Sequence, residues 1–249
     1  MKARAAITAE SGADGPRLRW RSDPPVVLRP TGGPEVYLVQ AGGGPLGGDE
    51  LALDVHVGER GCLQVRSAGA TVVQPGDPAT GARWTVTADL AGGAVLGWRP
   101  EPTVICDGAH LCSTMALALR AGARAVLHEV VVLGRAGQRG GYFRGELTID
   151  YDGDPLLAHT LLLDGSDPVL AGPAGSAGAR VVGMLAAVGE GTGNPPEDAG
   201  EEQGLRWACS SLEGPGWLLL ALGDRVTDVT QLLDQAAYGW AVAAGLAAG

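Results

Sequence analysis

The sequence predicts a mainly β protein: a layered, β-helix-like stack of hairpin units closed by a C-terminal α-helix. Three observations carry this. Apolar residues alternate with polar ones at period two far more often than they recur at threes and fours. Each alternating segment is followed by a short turn and a second apolar run, and these units recur about every 30 residues, a spacing that suggests stacked β repeats. Only beyond Asp224 does the period become helical.

The alternating segments are "LALDVHV" (51–57), "RWTVTADL" (83–90), "STMALALR" (113–120) and "GELTIDY" (145–151), each the pattern of a half-buried strand. Their turns are "GERG" at 58, "AGG" at 91, "AGA" at 121 and "DGD" at 152, and the runs behind them are "CLQVRS", "AVLGWRP", "RAVLHEVVVL" and "PLLAHTLLL". The stretch "GEGTGNPPEDAGEEQG" (189–204) concentrates Pro, Gly and acids and loses apolar periodicity, which predicts an exposed loop. Val226, Val229, Leu233, Ala236 and Trp240 then form one helical stripe, with Asp224 or Thr227 placed to cap the first turn. That stripe packs on the sheet or on a partner.

With 249 residues, 45% of them hydrophobic, the chain suits one domain with a sizeable core. A formal charge of −10 and a pI near 4.8 argue against a nucleic-acid binder, which needs basic residues to neutralise phosphates. They favour basic protein partners or cations. Cys62, Cys106, Cys112 and Cys209 are scattered without a CxxC pair, and no signal peptide is evident, so a reducing cytoplasm is expected. No apolar run approaches the ~18–20 residues of a membrane span; "WLLLAL" (217–222) is far shorter. A soluble protein is expected.

Few residues could carry chemistry. "GGGPLGGDE" (42–50) lacks the GK[ST] ending of a phosphate loop and runs into a strand, which argues against a nucleotide site. Asp49 and Glu50 point to opposite faces of an alternating segment, so they make no shared acid/base pair. The glycines supply a tight corner, and Asp49 caps a turn through backbone N–H groups. His56, His110, His128 and His159 show no HxH or HExxH spacing. The adjacent pair His128 and Glu129 stands apart, because one of two neighbouring strand residues must face inward. With no GxSxG elbow either, the residues point to a binding or scaffolding protein, not an enzyme.

Several segments then match one family in order. "GGPLGGDE" (43–50) resembles the GG-[IL]-[VL]-GGD-x-L motif of the UreD (UreH) family of urease accessory proteins, carried here by Gly43, Gly44, Gly47, Gly48 and Asp49. "VYLVQAGGGPLGGDELALDVHV" corresponds to the strand, glycine-rich turn and strand that open the family's core. "SAGAT" (67–71), "GWRPEPTVICDGAHL" (97–111), "VLHEVVVLGR" (126–135) and "LTIDYDGDPLLAHTLLLDG" (147–165) are similar to its later segments. The resemblance runs from about residue 28 to residue 165 and more weakly to the C-terminal helix. It gives a single UreD-like domain over 1–249: a core of about 17–188, the acidic loop 189–204, and C-terminal strands and helix over 205–249.

The resemblance implies a maturation chaperone without enzymatic activity. It would bind apo-urease together with UreF and the GTPase UreG and conduct nickel into the urease active site through an internal, water-filled passage. No tightly bound cofactor is implied, only nickel in transit, and transient oxygen or imidazole ligands suit that task where a closed cage would trap the ion. Glu129 falls where the family has a carboxylate and His159 where it has an acid; with Ser67 and Thr71 they are the candidate lining. The competing reading of Glu129 is an ion pair with an arginine such as Arg135. Glu101 in "PEP" and Arg135 are structural or interface residues. Two departures bear on the interface: Val72 stands where the family usually has Lys, and the acidic loop stands where relatives often have a helix, so UreF would dock differently. Two other classes remain, a metal-sequestering protein, which needs His or Cys clusters, and a hydrolase with Glu129 or Asp49 as base, which needs a pocket holding a perturbed carboxylate.

Overall fold

The computed structural model describes residues 1–13, 15–76, 80–193, 195–196 and 199–243, and the side chains of those residues up to 238. In chain order the strands are β1 Lys2–Gly12, β2 Gly15–Arg21, β3 Val26–Gly32, β4 Glu35–Gln40, β5 Glu50–Val57 and β6 Cys62–Ser67. Next come β7 Thr71–Val73, β8 Ala82–Leu90, β9 Val95–Arg99, β10 Thr103–Ile105, β11 His110–Leu119 and β12 Arg124–Leu133. They are followed by β13 Tyr142–Tyr151, β14 Asp154–Asp164, β15 Val181–Gly189, β16 Ala199–Glu202, β17 Leu205–Ser211, β18 Gly216–Gly223 and the helix α1 Val226–Ala243.

Two sheets face each other. One has seven strands in the order β14-β13-β11-β8-β5-β1-β2; the other has eleven, running β16-β17-β18-β15-β12-β9-β6-β4-β3, with β10 beside β12 and β7 beside β10. The chain crosses between them at the turns following β5, β8 and β11, so β5, β8, β11 and β13 stack in parallel in one sheet and β6, β9 and β12 in the other. The expected layering is present, and the pairing refines the hairpin picture. The turns at 58, 91 and 121 are corners between sheets; the turn at 152 alone of the four closes an antiparallel hairpin, β13 with β14. Two apolar runs joined by a short turn read alike in either arrangement; the corner form puts the buried face of each strand against the other sheet, while the alternate residues of β8 and β13 stay exposed.

The space between the sheets is filled by one alternating face of each strand, including Leu53, Leu63, Leu90, Leu96, Leu119 and Leu127. The core begins earlier than residue 17. Ala3, Ala5, Ile7 and Ala9 are buried on β1, which pairs in parallel with β5; small alanines made that strand's apolar alternation faint. The segment 189–204 also departs from a plain loop. Residues 199–202 form the edge strand β16, hydrogen-bonded to β17, and Glu201 and Glu202 keep that exposed edge charged.

Helix α1 lies against β15, β12 and β18. Val229 and Leu233 are fully buried there and Ala236 is half-buried, while Trp240 lies outside the described side chains. The N–H of Val229 donates to the carbonyl of Arg225, which puts the N-cap at Arg225, between Asp224 and Thr227. Thr227 sits inside the helix and its hydroxyl bonds Asp228. Leu233→Ala is expected to lower stability by about 3 kcal/mol, read as a drop in the urea midpoint; an unchanged midpoint would mean that α1 is not docked. No helix among the described residues is long and apolar enough to cross a membrane.

Candidate functional site

The eleven-stranded sheet carries a break. β6 ends at Ser67 and resumes as β7 at Thr71; one coil on, β9 ends at Arg99 and resumes as β10 at Thr103. β12 runs past both without interruption, pairing β9 through Leu127 and β10 from Val131. His128, Glu129 and Val130 therefore border a stretch with no strand on that side. The rim is pinned by local bonds: Ser67 Oγ accepts from the N–H of Glu101 at 2.8 Å and donates to the carbonyl of Gly69 at 3.0 Å, and the N–H of Thr71 donates to the carbonyl of Pro102.

Behind the break lies a cavity of about 320 Å³. Its walls are apolar: Trp84 and Val86 from β8, Met115 from β11, Phe143 and Leu147 from β13, Trp98 from β9 and Met184 from β15. Glu129, Ser67, Thr71 and Glu101 line it too, and exposed Ala68, Gly69 and Ala70 mark its mouth. Glu101 and Pro102 also border a surface groove along α1, with Thr230 and Asp234 on its far side. Four of the residues singled out in the sequence thus share one cavity that opens through the break.

Glu129 is the charged centre. Leu127 and Glu129 face the space between the sheets, while His128 faces α1. Gly145, on β13 opposite, makes the room: a Cβ there would sit 3.2 Å from Oε2 of Glu129 and 2.8 Å from the Phe143 ring. Among the described residues no hydrogen bond or ion pair reaches the Glu129 carboxyl. Burial pushes its pKa up to about 7. The side chain keeps part of its accessible surface because that surface faces the cavity and not bulk solvent. The pairing with Arg135 is not formed: Arg135 is exposed, its N–H donates to Gln138 and its carbonyl accepts from Arg180.

His159 lies off the cavity wall. It stands on β14 opposite Leu147, one layer below Gly145, half-buried, with Nε2 enclosed and without a hydrogen-bond partner; burial lowers its pKa. His128, which sequence reasoning left unassigned, is buried under α1, and burial first, then the nearby Arg99 charge, pushes its pKa down to about 3. Its Nδ1 lies 3.9 Å from Asp234, which Arg99 grips. Asp234 was missed in the sequence because its neighbours on the sheet come from segments more than a hundred residues away.

The glycine-rich segment forms a corner at the edge of this site. Asp49 is buried, accepts from the N–H of Leu46 at 3.0 Å and from the Met1 amine at 2.5 Å, and these contacts outweigh burial to hold its pKa below the usual range. Gly44 adopts a φ of +88°, and a Cβ on it would lie 1.9 Å from the carbonyl oxygen of Val72. Gly47 lies against Gly76 in the next coil, Gly48 opens the last turn before β5, and Gly43 is unobstructed.

The UreD urease accessory protein family matches residues 2–248. The chain belongs to the UreD family. A urease accessory protein UreD of Frankia alni is 38% identical, covering 90% of this chain and 88% of its own. UreD of Parafrankia sp. is 36% identical over 95% of this chain and 88% of its own, and UreD of Streptomyces coelicolor 38% over 85% of each. The chain is thus a urease accessory protein of the UreD family, and the match reaches from β1 through α1, beyond the segments whose motifs carry the resemblance.

Proposed function

We propose that this UreD-family chain acts in the cytoplasm with UreF and UreG on apo-urease, and that nickel crosses it through the cavity beneath the sheet break on its way to the urease active site. One observation carries the reading: the unpaired, enclosed carboxyl of Glu129 faces a cavity with an opening. A buried carboxylate without a partner is costly, and a passing cation relieves that cost. One carboxylate with hydroxyl and water oxygens binds Ni²⁺ weakly enough for release, whereas a closed cage would not. Thr71 and Glu101 would receive the ion at the mouth, and Ser67 fixes the rim.

The enclosed carboxyl with a raised pKa is also what a hydrolase base would need. That reading lacks a second group: His128 points to the other side of its strand, and no hydroxyl or imidazole bonds Glu129 among the described residues. The test is co-expression with urease, UreF and UreG, followed by assay of nickel in purified urease. Glu129→Ala is expected to lower nickel content several-fold while the accessory complex still assembles. Nickel content equal to that with the parent chain would overturn the passage.

A further inference from the structure

On the outer face of the seven-stranded sheet, away from the cavity, His110 and Cys112 stand two residues apart on β11 and so project from the same face. Sγ of Cys112 lies 3.9 Å from Nε2 of His110. On a tetrahedral ion, with metal–sulfur ~2.3 Å and metal–nitrogen ~2.0 Å, the two donors are about 3.5 Å apart. A side-chain movement of a few tenths of an ångström would therefore seat one ion between them.

The imidazole is held for this. The Tyr142 ring meets it edge-on with centroids 4.3 Å apart. Gly81 packs on it from another side, where a Cβ would lie 2.9 Å from Cγ and 3.2 Å from Nδ1. Gly81 thus packs on the Cγ end of the ring, over Cδ2 and Nδ1, while Nε2 lies nearest the thiol. His110 is exposed and Cys112 half-buried, so an ion arrives from solvent.

We propose that His110 and Cys112 form a surface chelate for a borderline divalent cation of the Zn²⁺ or Ni²⁺ class, since imidazole with thiolate selects such ions over Mg²⁺ or Ca²⁺. The chain supplies two ligands, because no three candidate side chains converge among the described residues. Water or a docked protein completes the shell, which makes the site exchangeable. On binding, the metal–sulfur bond replaces the S–H bond, the proton passes to solvent, and no redox change occurs. The site does not depend on the passage.

The experiment uses the full chain with Co²⁺ and Zn²⁺ as probes. Co²⁺ is expected to give a thiolate-to-metal charge-transfer band that Cys112→Ser abolishes, that His110→Ala weakens by about tenfold or more in affinity, and that Cys62→Ser and Glu129→Gln leave intact. Zn²⁺ is expected to slow alkylation of Cys112, followed by peptide mass spectrometry. A band that survives Cys112→Ser, an affinity untouched by His110→Ala, or alkylation of Cys112 as fast with Zn²⁺ as without it would overturn the proposal.

Discussion

Replacing Glu129 with Gln is expected to stabilise the protein above pH 7 by about 3 kcal/mol, and to leave its stability at pH 4 nearly unchanged. Glu129 has its pKa raised from 4.5 to about 7 by burial in the cavity wall. The folded chain therefore holds this proton more tightly than the unfolded chain. Its contribution is fully present below pH 4.5 and is lost as pH rises through 7, where ionisation in the cavity opposes folding. Gln keeps the shape without the charge. The adjacent His128 acts with the opposite sign: its pKa is lowered from 6.5 to about 3, so stability is lost as pH falls from 6.5 toward 3. The two contributions oppose each other between pH 4.5 and 6.5, and only the difference between Glu129→Gln and the parent isolates Glu129. Urea unfolding of both from pH 4 to 8 measures it. Parallel curves would show that the carboxyl is solvated and would remove the reason for a cation to dwell there.

Gly44→Ala is expected to destabilise the protein by about 3–5 kcal/mol, or to prevent folding, because backbone strain and overpacking act together. At φ +88° an alanine is strained before any contact is counted, and its Cβ would fall 1.9 Å from the Val72 carbonyl oxygen. That oxygen cannot retreat freely, since β7 is paired with β10. Gly43→Ala is the control: its Cβ meets nothing within 4 Å and the effect is expected to stay within about 0.5 kcal/mol. Thermal unfolding of the two variants decides it. Equal melting temperatures would mean that the corner is free to shift and that its glycines serve no packing need.

Much of the site was legible, and unevenly. Ser67, Thr71, Glu101 and Glu129 were marked by family motifs, and all four border the cavity. Alternation on β12 told that one of His128 and Glu129 faces inward, but not that both faces of this strand are covered, one by the opposing sheet and one by α1. His159 was placed by motif position alone. Its layer follows from the register of β14 on β13, which shifts between Ile149 and Asp150 and leaves no local sequence signal. Asp234 and Gly145 became visible only when distant strands were brought together.

Local pattern by itself determined which segments are strands, where the helix runs and where most turns fall, because period and turn chemistry are properties of neighbours in the chain. It located the eight strands of the repeating units to within a few residues. Tertiary structure decided whether a turn folds a strand back on its own sheet or carries it to the other. It also decided that two interruptions one coil apart align into a single break. Both depend on burial and hydrogen bonding between segments tens of residues apart, where the free energy belongs to the pair and not to either sequence.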